Sequence, residues 1–189
     1  MYRLPVGFLL SVSVAVSAFA EEGNHNDRLK GDYSFAISRV CAQARRFDAD
    51  GRAAQGNVNQ LTGALDRVAT FDGQGNYSSV GRTMQVNTGR LITGDFPASE
   101  SESTCSGTYQ VNDDNSFTIT RACTGTVLSG AQTGQDFVIA PGTITGRVQG
   151  KHLVIADSNA QPPTVVTFSG IGRFERLCAQ SGSGVKIEK

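Results

Sequence analysis

Between Cys105 and Cys123 the chain alternates with a period of two: Tyr109, Val111, Phe117 and Ile119 occupy odd positions, while Thr108, Gln110, Thr118 and Thr120 occupy even ones. That period is the signature of strands with one buried face. Folding the stretch about Asp114 sets Tyr109 against Ile119 and Val111 against Phe117. Asp113-Asp114-Asn115 then forms a three-residue loop, with Asn115 at a left-handed position that Asn tolerates. In this register Cys105 faces Cys123 on the apolar side, so a disulfide staples the hairpin from within.

The same period recurs along the chain. Tyr33, Phe35 and Ile37 share one face of a first strand running towards Cys41. Residues 42–57 carry Arg45-Arg46 and Asp50-Gly51 with almost no large apolar side chain, and read as a long surface loop. Leu61, Leu65, Ala69 and Phe71 keep one parity before the Asp72-Gly-Gln-Gly-Asn76 turn, and Val80, Met84 and Val86 keep one parity after it. The register that buries both sets pairs Ala69 with Val80 and Leu65 with Met84, and places Arg67 opposite Arg82. Residues 88–104 hold one apolar pair, Leu91-Ile92, within a polar run and read as an exposed connection. Short strands follow over 136–140, 143–148 and 152–156, divided by Pro141-Gly142 and Gly150. Pro162-Pro163 breaks the chain before a last strand carrying Val166, Phe168, Phe174 and Cys178.

Eight or nine antiparallel strands in one chain must hide their edges. The succession of hairpins favours an all-β, up-and-down antiparallel barrel over the alternative β-sandwich. The expected organisation is a signal peptide over 1–20, a flexible arm over 21–30, one barrel domain over 31–180 and a flexible tail over 181–189. The first segment has Arg3, an apolar run from Leu4 to Val16 and Ala18-Phe19-Ala20 ahead of Glu21, the layout of an export signal with its cleavage site. Export to the periplasm or the extracellular space is therefore expected, with no transmembrane segment after cleavage.

Cysteine and charge usage narrow the picture. Four cysteines in an exported chain point to disulfides, and once Cys105 is paired with Cys123 elimination leaves Cys41 with Cys178. One difficulty follows: both of these cysteines trail their strands, and in an even-numbered meander those ends lie at opposite rims. Either the strand count is odd or Cys178 belongs to a tail folded back across the barrel. Beyond residue 20 the chain has 16 basic and 17 acidic residues, a balance against nucleic acid as a partner.

Gly31-Asp32-Tyr33 resembles the Gly-x-Trp that opens the first strand of calycin and lipocalin-like barrels, and Arg173 or Arg176 resembles the arginine that packs over that aromatic. The resemblance implies a cup with a ligand cavity over residues 31–178. The chain contains no tryptophan.

The sequence carries few catalytic signatures. There is no nucleophile elbow, phosphate loop or dinucleotide fingerprint, so no catalytic residue or cofactor is assigned and an enzyme is the less favoured class. His25 and His152 stand alone and read as solvated; Asp48-Ala-Asp50-Gly51 resembles part of a calcium loop but lacks its first and closing ligands, so no metal site is assigned. One constellation remains. Arg67 and Arg82, on the parity of their strands' apolar residues, would face each other as like charges, and a bound anion would resolve the repulsion. With Arg121 they would grip a carboxylate or phosphate whose apolar part lies against Tyr33, Phe35, Leu65, Met84 and Tyr109. A register shifted by one step, a neutralising carboxylate, or side chains snorkelling to the rim would each remove that need. The expected function is an exported barrel that binds a small apolar or amphipathic anionic ligand in its lumen. The alternative is an interaction or structural module acting on a protein partner through loops 42–57 and 88–104.

Overall fold

Alternating side chains along eight long segments produce eight strands whose hydrogen bonds run in a closed ring. The structure, a computed structural model, describes residues 25–55, 58–87 and 98–188, with the side chains of 158–161 not among what it describes. The expected signal peptide and the connection over 88–97, with Leu91-Ile92, lie outside the described residues. In chain order the strands are β1 (Lys30–Ala44), a short hairpin of β2 (Arg46–Phe47) and β3 (Ala53–Gln55), β4 (Asn59–Asp72), β5 (Asn76–Asn87), β6 (Ser99–Val111), β7 (Ser116–Ser129), β8 (Asp136–Gln149), β9 (His152–Phe168) and β10 (Gly172–Lys186). Apart from β2 and β3, each strand pairs antiparallel with the next in the ring, and β10 returns to β1, so no long edge is left unpaired.

The β6–β7 hairpin has the expected register, with Tyr109 opposite Ile119, Val111 opposite Phe117 and Cys105 disulfide-bonded to Cys123. Asn115 takes the left-handed conformation at φ 61°. The β4–β5 hairpin differs from expectation by one residue. Phe71 pairs with Tyr77 and Val68 with Val80, so Arg82 lies opposite Asp66 rather than Arg67. Asp72 sets this register, because its Oδ1 accepts from the backbone N–H groups of Gln74, Gly75 and Asn76 and holds the turn as a wider loop. A one-residue slip reverses every side chain of a strand. Tyr77, Ser79 and Thr83 therefore face inward, while Val80 and Met84 are exposed. The aromatic contact of Tyr77 with Phe71, at 5.3 Å between ring centroids, takes the interior place expected for the valines and Met84. Gly81 lies opposite Arg67, where a Cβ would come within 2.2 Å of the Asp66 carbonyl oxygen.

Pro141 and Pro162-Pro163 do not end strands, as their chemistry suggested; β8 and β9 run through them. The ladder between β8 and β9 is interrupted from the Ile139–Val166 pair to the Gly146–Ile155 pair, and β9 also bulges away from β10 between Asn159 and Thr164. Proline, which has no N–H to give a ladder, is accommodated at such interruptions.

The cysteine difficulty resolves because β10 does not stop near Cys178. It continues to Lys186, pairing Ser181–Lys186 with Ser38–Tyr33 of β1, so the stretch expected to be a loose tail from Ser181 is wall. Cys178 lies mid-strand, directly across from Cys41, and the two are disulfide-bonded. Gly184 lies beneath the Phe35 ring, which occupies the space of a side chain there.

Part of the expected flexible arm is also structural. Asn26–Arg28 form a 3-10 turn under the barrel, and Leu29 is fully buried. Asn26 Oδ1 accepts from the Val111 N–H at 2.9 Å, and the Tyr109 hydroxyl donates to the Leu29 carbonyl at 2.7 Å. Above this floor Tyr33, Phe71, Val111, Phe117 and Leu153 fill the lower lumen, with Phe71 edge-on to Tyr33 at 5.5 Å and to Tyr109 at 5.0 Å. The expected surface loop over 42–57 and the expected connection over 88–104 are shorter than their sequences suggested: β1 reaches Ala44, β2 and β3 form their own hairpin, and β6 begins at Ser99. On the outer face Asp66, Arg82 and Glu102 form a cross-strand row. Among the described residues no helix is long and apolar enough to cross a membrane. The two disulfides fit an oxidising, exported environment.

Candidate functional site

Midway up the barrel the interior changes character. Above the aromatic floor, Arg39 of β1, Arg67 of β4, Arg121 of β7 and Arg176 of β10 line one continuous recess with Leu65, Thr83, Ser101, Ser103, Val127, Phe137, Ile139, Val166 and Phe168. Each arginine lies on the inward parity of its strand: Arg39 follows Phe35 and Ile37, Arg67 lies between Leu65 and Ala69, Arg121 between Ile119 and Cys123, and Arg176 follows Phe174. Arg67 and Arg176 are buried, and Arg39 and Arg121 are partly buried.

No carboxylate lines this recess among the described residues. The arginines are held by neutral groups. Arg67 donates to Ser79 Oγ at 2.7 Å, to Ser103 Oγ at 2.6 Å and to Cys105 Sγ at 2.8 Å, and its buried Nε has no partner among the described residues. Arg121 donates to Cys105 Sγ at 3.1 Å, so the hairpin disulfide lies against two guanidiniums. Arg176 Nε donates to Gln43 Oε1 at 2.7 Å, and Arg39 donates to Gln85 Oε1 at 3.3 Å. Asp157 accepts from Gln180 Nε2, which lines the adjoining cleft, at 3.1 Å without lining that cleft itself.

Burial and mutual repulsion weaken the charged form of three of these groups. Desolvation, then Arg121 and Arg67, lower Arg39 to about 10. Desolvation and Arg121 lower Arg67 to about 10. Desolvation and Arg39 lower Arg176 to about 9. All three remain cationic at neutral pH, so the recess holds several positive charges close enough to oppose one another. Such an arrangement favours an anion.

Among the described residues, two cavities adjoin the cluster. The upper mouth is a cavity of about 270 Å³ bounded by Gln43, Leu61, Gln85, Ser99, Gln132, Phe168, Phe174 and Arg176. A smaller cleft of about 60 Å³ lies at the interrupted ladder between β8 and β9, where Ile139, Gly142, Thr143 and Thr164 lead to Arg39, Arg121 and Arg176. The space at the cluster itself is about 50 Å³. The β2–β3 hairpin is pinned beside the mouth: Arg45 stacks over Phe174 at 4.3 Å and donates to the Ile171 carbonyl, while the Phe47 N–H donates to Glu175 Oε2 at 2.7 Å.

Of the residues expected to form the site, the structure brings Arg67, Arg121 and Leu65 together at the recess. Arg82 is outside, in an ion pair with Glu100 at 3.4 Å, and Met84 is on the outer face. Tyr33, Phe35 and Tyr109 belong to the filled floor below. Arg39 and Arg176 were not expected in the anion site, although their parity with Ile37 and Phe174 marked them as inward. Neither arginine proposed to pack over Tyr33 can do so. Arg173 forms an outward pair with Glu175, and Arg176 lies opposite Gln43, ten residues along β1 from Tyr33, which itself faces Lys186. Among the described residues no cluster of three or more His, Cys, Asp or Glu side chains is arranged to hold a metal.

Compared with protein-family models, curated proteins and solved structures, the chain matches none.

Proposed function

We propose that this protein is an exported carrier or receptor for a small amphipathic organic anion, held in the upper half of the barrel. The negative end lies among Arg39, Arg67, Arg121 and Arg176, and the apolar part lies against Val127, Phe137 and Phe168 towards the mouth. The observation that carries this reading is the set of four guanidiniums around one recess that no described carboxylate lines. The aromatic floor supports it by closing one end, and the cavity at the other end leaves room for a small ligand. The resemblance to calycin barrels, which hold ligands in a cup, belongs to the same reading.

The test compares two probes with one aromatic body: 8-anilinonaphthalene-1-sulfonate and its uncharged analogue N-phenyl-1-naphthylamine. Fluorescence titration is expected to give at least tenfold tighter binding of the sulfonate, and the difference should vanish in an Arg67→Met/Arg176→Met variant that keeps its circular dichroism spectrum. Equal affinities in the parent, or an undiminished preference in the variant, would defeat the proposal.

A further inference from the structure

The arrangement of the arginines narrows the class of anion. In the ring β4, β1 and β10 are consecutive, whereas β7 stands on the far wall, four steps from β1. Arg39, Arg67 and Arg176 therefore approach the recess from one side and Arg121 from the other. A carboxylate offers two oxygens in one plane and one negative charge, so it would leave most of the cluster's charge opposed and one wall unanswered. A phosphate monoester offers three terminal oxygens in a tetrahedron and a charge of about −1.5 to −2 at pH 7. Arginine forks suit such oxygens because each guanidinium can give two parallel hydrogen bonds.

The space admits such a head group. The room at the cluster is about 50 Å³, and the adjoining wall cleft, which shares Arg39, Arg121 and Arg176 with it, adds about 60 Å³. Spaces this small suit a compact head group and little more. The larger mouth cavity shares Arg176 and Phe168 with the cluster and carries Leu61 and Phe174, so a short apolar chain can leave the head group in that direction.

We propose that the site takes a phosphate monoester of a small apolar body in preference to a singly charged carboxylate. This rests on reading the lumen as an anion site. The test is isothermal titration with hexyl phosphate, hexyl sulfate, heptanoate and inorganic phosphate below their aggregation concentrations, together with co-sedimentation on vesicles containing phosphatidic acid. At pH 7.5 hexyl phosphate is expected to bind at least tenfold more tightly than hexyl sulfate, heptanoate or inorganic phosphate. Its affinity should fall several-fold between pH 7.5 and pH 5, as the ester dianion takes up one proton near pH 6 and becomes a monoanion, while that of hexyl sulfate should not. Binding of the monomeric ester alone supports a free metabolite-like ester as the source, and additional capture on vesicles supports a lipid head group. Heptanoate binding as tightly as hexyl phosphate, or a flat pH response, overturns the phosphate assignment while leaving the anion site in place. Inorganic phosphate binding as tightly as the ester overturns the apolar body. If none of the four binds and the naphthalene sulfonate shows no charge preference, both readings fail together.

Discussion

Replacing Arg67 with Met should make the ligand-free protein more stable, which is the reverse of what removing a buried, hydrogen-bonded side chain ordinarily does. Arg67 is only 6% exposed, and its guanidinium is lowered from its ordinary value to about 10 by desolvation and by Arg121. At about 1.4 kcal/mol per pKa unit, the charged form costs about 3 kcal/mol at neutral pH, with little solvent to screen it. Methionine keeps most of the stem's apolar contact and gives up the bonds to Ser79, Ser103 and the Cys105 sulfur, together about 2 kcal/mol. The expected net is a gain of about 1 kcal/mol, or about 2–4 °C in Tm for a chain of this size. Urea and thermal unfolding in a zwitterionic, low-chloride buffer measures it. A ligand at a hundred times its Kd stabilises the parent by about 2.7 kcal/mol and reverses the order. The pH dependence has a definite sign. A base whose folded pKa lies below its unfolded value binds fewer protons when folded, so its cost is present below about pH 10 and is relieved as the pH rises above it. The gap between variant and parent should hold steady from pH 6 to 9 and then close. A loss of about 3 kcal/mol or more in ligand-free buffer would show that the protein itself satisfies this guanidinium and would refute the reasoning.

The two disulfides should differ in weight. Loop-closure entropy gives about 3 kcal/mol for Cys105–Cys123, which spans 18 residues, and about 5 kcal/mol for Cys41–Cys178, which spans 137, so the paired Cys→Ser variant of Cys41 and Cys178 should melt below that of Cys105 and Cys123. Asn26→Ala leaves the buried Val111 N–H without its acceptor and should cost about 1–3 kcal/mol in denaturant unfolding. The side chain of Asn76 and the turn's backbone N–H groups lower Asp72 to about 2. Its contribution to the β4–β5 turn should therefore be intact above pH 4 and lost between about pH 4 and 2, a change that Asp72→Ala should abolish in an acid titration of stability.

The hairpin of β6 and β7 was legible in the sequence because three constraints agreed: alternation, a turn residue suited to the left-handed region, and two cysteines on one face. The β4–β5 hairpin offered only alternation, which favoured the register that buries Val80, Met84 and Val86 over the one, a single residue away, that the structure shows. The hydrogen bonds of Asp72 and the packing of Tyr77 on Phe71 decided between them, and neither is visible as a period. That single residue of register moved Arg82 and Met84 from the lumen to the outer face. The prolines misled for a related reason. Their lack of an N–H matters only where a neighbouring strand needs one, and β8 and β9 have already parted at those positions. Arg39 and Arg176 were inward by parity. What made them a site was the meeting of β1, β4, β7 and β10 around one recess, a relation that emerges only when the ring closes.

The most direct test of the central claim is anomalous diffraction from crystals soaked in bromide. An uncompensated guanidinium cluster predicts an ordered bromide in contact with Arg67 and Arg121, within reach of Arg39 and Arg176, and loss of that peak in the Arg67→Met/Arg176→Met variant. A recess free of bromide, with its guanidiniums paired to a carboxylate of the chain itself, would contradict the claim.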